Sequence, residues 1–147
     1  ERTTRLVVLV HMPTRRAAVA TSAFAGALNA IPAPLRQTLT YDQGKEMAGH
    51  AGLAAQTGMR IFFADPHSPW QRGSNENTNG LLRQYLPKGS SLAGWDQDDL
   101  DLVVASLNDR PRKTLDYATP NEAFNSLLAK LANGGKTPNG GGVRYGC

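Results

Sequence analysis

The sequence almost lacks cysteine. A single thiol, Cys147, stands at the last of 147 positions. Neither an intrachain disulfide nor a cysteine-based zinc site can form from it, and a reducing, cytoplasmic setting fits. Long apolar runs are also missing. None approaches the roughly 20 residues that a membrane-spanning helix needs, so no membrane partner is expected. The opening Glu1-Arg2-Thr3-Thr4-Arg5 is not a secretory signal. Without a Met it reads as the continuation of a longer chain. Acid is in deficit, with 12 Asp and Glu against 16 Lys and Arg. That balance suits a polyanionic partner such as nucleic acid, and suits equally a solvated basic surface. What is present is enough apolar matter, 40% of residues, for one packed core in a chain of single-domain length.

Periodicity sketches the elements. Leu6-Val7-Val8-Leu9-Val10 is a continuous, largely β-branched run and predicts a buried strand. A helix over about 15–30, capped by Thr14, carries an apolar stripe of Ala20, Phe24, Leu28 and Ile31, and Pro32 and Pro34 end it. Thr38-Leu39-Thr40-Tyr41 predicts a short strand running into Asp42 and Gly44. A helix over 45–57 stops at Gly58. Residues 59–64 predict another buried strand, and the proline-broken stretch 65–73 a loop. Three helices follow. The first runs over about 74–86 from Ser74, with Leu81, Leu82 and Tyr85 inward. The second starts at Asp96 with Leu100, Val103, Val104 and Leu107 at helical spacing. The third opens on the capping box Thr119-Pro120-Asn121-Glu122 and carries Phe124, Leu127, Leu128 and Leu131 on one face. The core therefore covers residues 1–131, and the Gly-rich stretch 132–147 is expected to be a disordered tail. Alternating strands and helices predict an α/β fold with parallel pairing in part of the sheet.

Two carboxylates stand out by position. Asp42 closes a strand, where a side chain projects into a site at a sheet edge. Glu76 falls in the first turn of a helix one strand and one loop later, with thirty-three residues between them. A strand-end Asp and a helical Glu can converge on a divalent cation; Mg²⁺ takes one or two carboxylates and fills its other positions with water and phosphate oxygens. An acid at a helix N-terminus is also favoured by the dipole alone. Glu76, Asn79 and Arg83 share one helical stripe, the mixture of carboxylate, amide and guanidinium that suits a metal–phosphate site; a solvated face carries the same residues.

The block from Asp65-Pro66-His67-Ser68-Pro69-Trp70-Gln71-Arg72-Gly73 through Ser74-Asn75-Glu76-Asn77-Thr78-Asn79-Gly80-Leu81-Leu82-Arg83 to Lys88-Gly89 resembles transposases of the insertion-sequence-thirty family. So do Asp42-Gln43-Gly44-Lys45-Glu46-Met47 and Leu107-Asn108-Asp109-Arg110-Pro111-Arg112-Lys113. The resemblance covers Glu1 to about Leu131. It implies a ribonuclease-H-like fold similar to the retroviral integrase catalytic core, here an incomplete sheet with helices on both faces. It implies an Asp, Asp, Glu triad with Mg²⁺ or Mn²⁺ in a two-metal site, Asp42 and Glu76 being its second and third members. The implied chemistry is cleavage at transposon ends and joining of the freed 3′-hydroxyl to target DNA, by a homo-oligomer on double-stranded DNA in the bacterial cytoplasm at the nucleoid.

Arg72, Arg83 and Lys88 then become candidate phosphate contacts. Asn79, Trp70 (a base-stacking or loop-anchoring ring) and the patch Arg110, Arg112 and Lys113 join them as candidate DNA-binding residues. The first Asp of the triad and its strand have no match in this sequence. The chain alone is therefore expected to be poorly stable and inactive in strand transfer. Rival readings are a non-catalytic DNA-binding remnant and a ribonuclease-H-like nuclease acting on RNA–DNA hybrids.

Overall fold

The sheet is built around Thr38–Tyr41 (β1), in a computed structural model that describes residues 1–12, 14, 16–41, 49–65, 73–134 and 144–146. β1 pairs in parallel with Arg60–Phe63 (β2), Thr38 opposite Arg60 and Tyr41 opposite Phe63. The crossover passes through His50–Thr57 (α2), as a parallel pair requires. Gly58 ends α2 at φ 70°, a left-handed geometry that glycine adopts without steric cost, so the predicted C-terminal glycine holds.

Ala17–Asn29 (α1) packs on α2. Ala25, Leu28, Ile31 and Leu35 form the core with Leu39 and Tyr41 of β1, Leu53 of α2 and Met59. The predicted stripe on α1 is seen, with Ala20, Leu28 and Ile31 buried and Phe24 packed against the cluster. Its start differs from expectation. Arg16 rather than Thr14 occupies the N-cap, and no side chain caps the helix there.

Gly73–Leu82 (α3) buries no residue fully and ends sooner than predicted; residues 83–86 form a turn. Gln97–Asn108 (α4) is capped by Asp96, which exchanges hydrogen bonds with Asp99, and buries Leu100, Val103 and Leu107. Pro120–Ala132 (α5) opens with the predicted box: Thr119 Oγ1 accepts from the Glu122 N–H at 3.1 Å, and the Glu122 carboxylate accepts from the Thr119 N–H at 2.7 Å. Phe124, Leu127, Leu128 and Leu131 pack on the core as predicted. Thr119→Ala is expected to cost about 1 kcal/mol through loss of this cap, read as a shift in the urea midpoint at unchanged slope.

Three further expectations need correction. Residues 6–10 are not a strand: no ladder forms, Val7 is buried and Val8 lies 47% exposed. Side-chain amides of α4 take the place of a neighbouring strand. The Val7 N–H donates to Asn108 Oδ1 and Asn108 Nδ2 donates to the Val7 carbonyl, both at 2.9 Å. Gln97 repeats the pattern on the next residues, accepting from the His11 N–H at 2.8 Å and donating to the Leu9 carbonyl at 3.1 Å. Extended backbone needs its donors and acceptors satisfied, and a primary amide presents both kinds of group, as a peptide unit does.

β2 is not buried. It is an edge strand with Phe62 50% and Phe63 44% exposed. The face carrying Thr38, Thr40, Arg60 and Phe62 opens into a cleft whose other described lining residues, Arg2, Phe63 and Asp65, are not helical. Finally, within the stretch predicted to be a disordered tail, Arg144–Gly146 (β3) pairs in parallel with β1, Thr38 opposite Arg144, and gives a strand order β2-β1-β3. No described helix is long and apolar enough to cross a membrane. The architecture is mixed α/β, as the alternation of elements predicted.

Candidate metal and nucleic-acid site

The end of the central strand and the first turns of α3 meet at one cavity. Leu39 and Tyr41 of β1 line it from below, Phe24 and Leu28 of α1 from the side, and Asn75 and Asn79 of α3 from above; its volume is about 210 Å³. Tyr41, only 1% exposed, is the residue before Asp42 in the chain. Asn75 is the residue before Glu76. The local cause is legible: alternation along β1 turns Leu39 and Tyr41 to the helical side, and an i, i+4 pair on α3 turns Asn75 and Asn79 together toward them.

Glu76 itself is exposed in the first turn of α3, with Asn79 one turn on and also exposed. Arg83 follows the helix, its N–H donating to the Asn79 carbonyl at 3.0 Å, and is exposed, as is Lys88 in the succeeding turn. Each of these side chains is thus accessible, with Arg83 lying just past the helix end. Asp42, Trp70 and Arg72 lie outside the described residues, as does His67. Among the described residues no group of three or more His, Cys, Asp or Glu converges, so these donors alone do not complete a metal site. Glu76 fits as one oxygen donor, being an accessible carboxylate of the kind a hard cation takes.

The second predicted basic patch divides. Arg110 is engaged inside the fold: Nη1 donates to Gln84 Oε1 at 3.1 Å and Nη2 to the Tyr85 hydroxyl at 3.3 Å, while that hydroxyl also bonds Ser106 Oγ at 2.7 Å. This ties the turn after α3 to α4. Arg112 Nη2 donates to the Leu107 carbonyl at 2.9 Å, and its Nε is buried without a hydrogen-bond partner among the described residues. Burial lowers the Arg112 pKa and the neighbouring Arg110 charge lowers it further. Lys113 is exposed. Sequence reasoning missed Arg5, whose Nη1 donates to Ser74 Oγ at 2.6 Å across 69 residues of chain. Nothing in its local spacing signals that contact.

No family model matches the chain. Curated relatives do. The transposase for insertion sequence element IS1086 of Cupriavidus metallidurans is 59% identical over 129 residues, 88% of this chain and 38% of the relative. Transposase InsI for insertion sequence element IS30A of Escherichia coli is 46% identical over the same length, 34% of the relative. A putative integrase of a Spiroplasma virus is 30% identical over 83 residues, 56% of this chain and 26% of the relative. The chain thus spans little more than a third of the length of the transposases it matches. With that identity sustained over most of its length, the chain belongs to the insertion-sequence-thirty family of transposases.

Proposed function

We propose that this chain is part of a ribonuclease-H-like transposase core and carries two of its metal-holding carboxylates, Asp42 and Glu76. The observation that supports this best is the shared cavity, which brings the residue before Asp42 and the residue before Glu76 to one place. A divalent cation, Mg²⁺ or Mn²⁺, would be held by these two acids, and when bound it supplies a lowered pKa for the attacking hydroxyl and charge for the leaving oxygen.

The chain's own residues position the DNA. Asn79 and Arg83 extend the Glu76 stripe along α3 and offer donors to the phosphodiester on either side of the scissile bond, and Lys88 continues that line in charge. Arg72 and Trp70, in the preceding segment, would contact the strand beside it. Lys113 and the exposed side of the 110–113 turn contribute general attraction to the duplex. The partners are double-stranded DNA, at the transposon ends and at the target, and a second copy of the protein assembled on it, in the bacterial cytoplasm at the nucleoid.

The test exchanges the matched 129-residue stretch of the Cupriavidus relative for residues of this chain. Excision and joining of a donor element are then measured with Mg²⁺ or Mn²⁺. Retained transposition supports the proposal. A correctly folded chimera that binds transposon ends and performs no chemistry favours the DNA-binding remnant instead.

A further inference from the structure

A second cleft, with a volume of about 380 Å³, lies beside α3 and shares only Thr78 with the β1 cavity. Three arginines from two distant parts of the chain line it: Arg2 and Arg5 from the N-terminal segment and Arg112 from the turn after α4. Ser74 and Asn77 of α3 and Thr114 add hydroxyl and amide donors, and among the described residues no Asp or Glu lines it. We propose that this cleft is a phosphate-binding subsite, in which Arg2, Arg5 and Arg112 hold a backbone phosphate of a nucleic-acid strand.

Three features argue for a ligand rather than a chance of packing. First, local structure holds the charges there. The Glu1 carboxylate accepts from the Thr3 and Thr4 N–H groups and the Thr4 hydroxyl, folding residues 1–4 into a turn. Arg5 follows at φ 61°, a left-handed conformation that a bulky residue rarely holds, and its guanidinium reaches Ser74. Second, no described carboxylate neutralises the charges. Among the described residues none of the three guanidiniums is paired with a carboxylate. Arg5 bonds a hydroxyl and Arg112 a carbonyl. Third, Arg112 is held as a cation where both burial and Arg110 oppose its charge. An oxyanion in the cleft removes that opposition.

Guanidinium is the group of choice for phosphate because its planar fork meets two oxygens at once. Donors arriving from three chain segments suit a tetrahedral anion better than a flat carboxylate. Ser74 stands in the first turn of α3, whose positive end favours the same charge. Glu76 lies on the same turn, so a strand seated on these arginines runs past the proposed metal-holding acid. Only the naming of DNA as the source of the phosphate rests on the function proposed above; the site stands on its own geometry.

The experiment measures binding of a labelled DNA duplex to the full chain by fluorescence anisotropy in EDTA, so that loss of metal chemistry cannot enter. The double variant Arg2→Gln, Arg5→Gln is expected to weaken binding at low salt by about tenfold or more and to reduce the slope of log K against log salt by about 0.9, the value for one phosphate that is no longer neutralised. Arg5→Lys, which keeps the charge, retains most of the slope. Lys130→Gln, at the far end of α5, leaves it unchanged. Circular dichroism of each variant confirms that it is folded, and Arg112→Gln repeats the test from the other wall of the cleft. Inorganic phosphate alone supplies the second arm: it is expected to raise the melting temperature of the wild-type chain and not that of the double variant. If the phosphate effect appears while duplex binding is unchanged, the nucleic-acid assignment is overturned and the cleft takes a free anion. Equal duplex affinity, equal slope and equal response to phosphate in folded variant and wild type overturn the whole proposal.

Discussion

Replacing Glu76 by Gln in the chimeric transposase is expected to lower transposition by on the order of 10³-fold or more, equivalent to about 4 kcal/mol of transition-state stabilisation. Gln keeps the length and an oxygen of the side chain and removes its charge, so the loss measures the carboxylate rather than the space it fills. The substitution should be silent in stability. Glu76 is exposed, and no hydrogen bond joins its side chain to another described residue; such surface changes stay within about 0.5 kcal/mol. Duplex binding in EDTA should also persist. Asn79→Ala, on the same stripe, is expected to lose much less, since it removes a neutral group. A Glu76→Gln chimera that transposes at the parental rate would remove Glu76 from the site.

Asn108→Ala is expected to be among the most damaging single changes to stability, at about 2–4 kcal/mol. It strips partners from both the N–H and the carbonyl of buried Val7, and each buried polar group left unsatisfied costs about 1–3 kcal/mol. Against the roughly 5–15 kcal/mol that usually holds a domain together, that loss is a large fraction. Asn108→Asp provides the sharper comparison. It preserves the acceptor for the Val7 N–H, but it loses the donor and sets a negative charge beside the Val7 carbonyl in a site only 4% exposed. At neutral pH it should be no better than Ala. Denaturant melts of the three chains decide the point, and differences under about 0.5 kcal/mol would show that the amide clamp carries no weight.

Glu76 and Asn108 differ in how far their roles can be read from the chain around them. The cap at Asp96, the box at Thr119, the stop at Gly58 and the stripe on α1 depend on residues close in sequence, and the structure shows all of them. Features that depend on a distant partner are another matter. The run 6–10 has the composition of a buried strand, but composition does not supply a neighbour, and the backbone instead bonds to amides about a hundred residues away. β2 departs from expectation in the same way: Arg60–Phe63 has strand propensity, yet its burial depends on what covers the sheet. For the site, the polar stripe on α3 is legible because helical spacing fixes it. The meeting of Arg2, Arg5 and Arg112 is not, because no spacing rule relates residues 5 and 112. Asp42 is legible as a strand-end carboxylate, but its role, like those of Trp70 and Arg72, rests on the family resemblance.

The amide clamp also sets an order of events in time. Val7 and Asn108 lie 101 positions apart, and His11 and Gln97 lie 86 apart. At a synthesis rate of about 5–20 residues per second, the ribosome needs roughly 5–20 s to make the intervening chain. Throughout that interval the run 6–10 is present without the helix that will hold it. It is apolar, rich in β-branched residues and without charge, the composition that pairs most readily with other extended chains. A segment made well before α4 is thus secured only after α4 has emerged, and the yield of folded protein should depend on how quickly α4 forms. Slowing translation across residues 97–108 should increase the insoluble fraction, and a single Lys in place of exposed Val8 should reduce it.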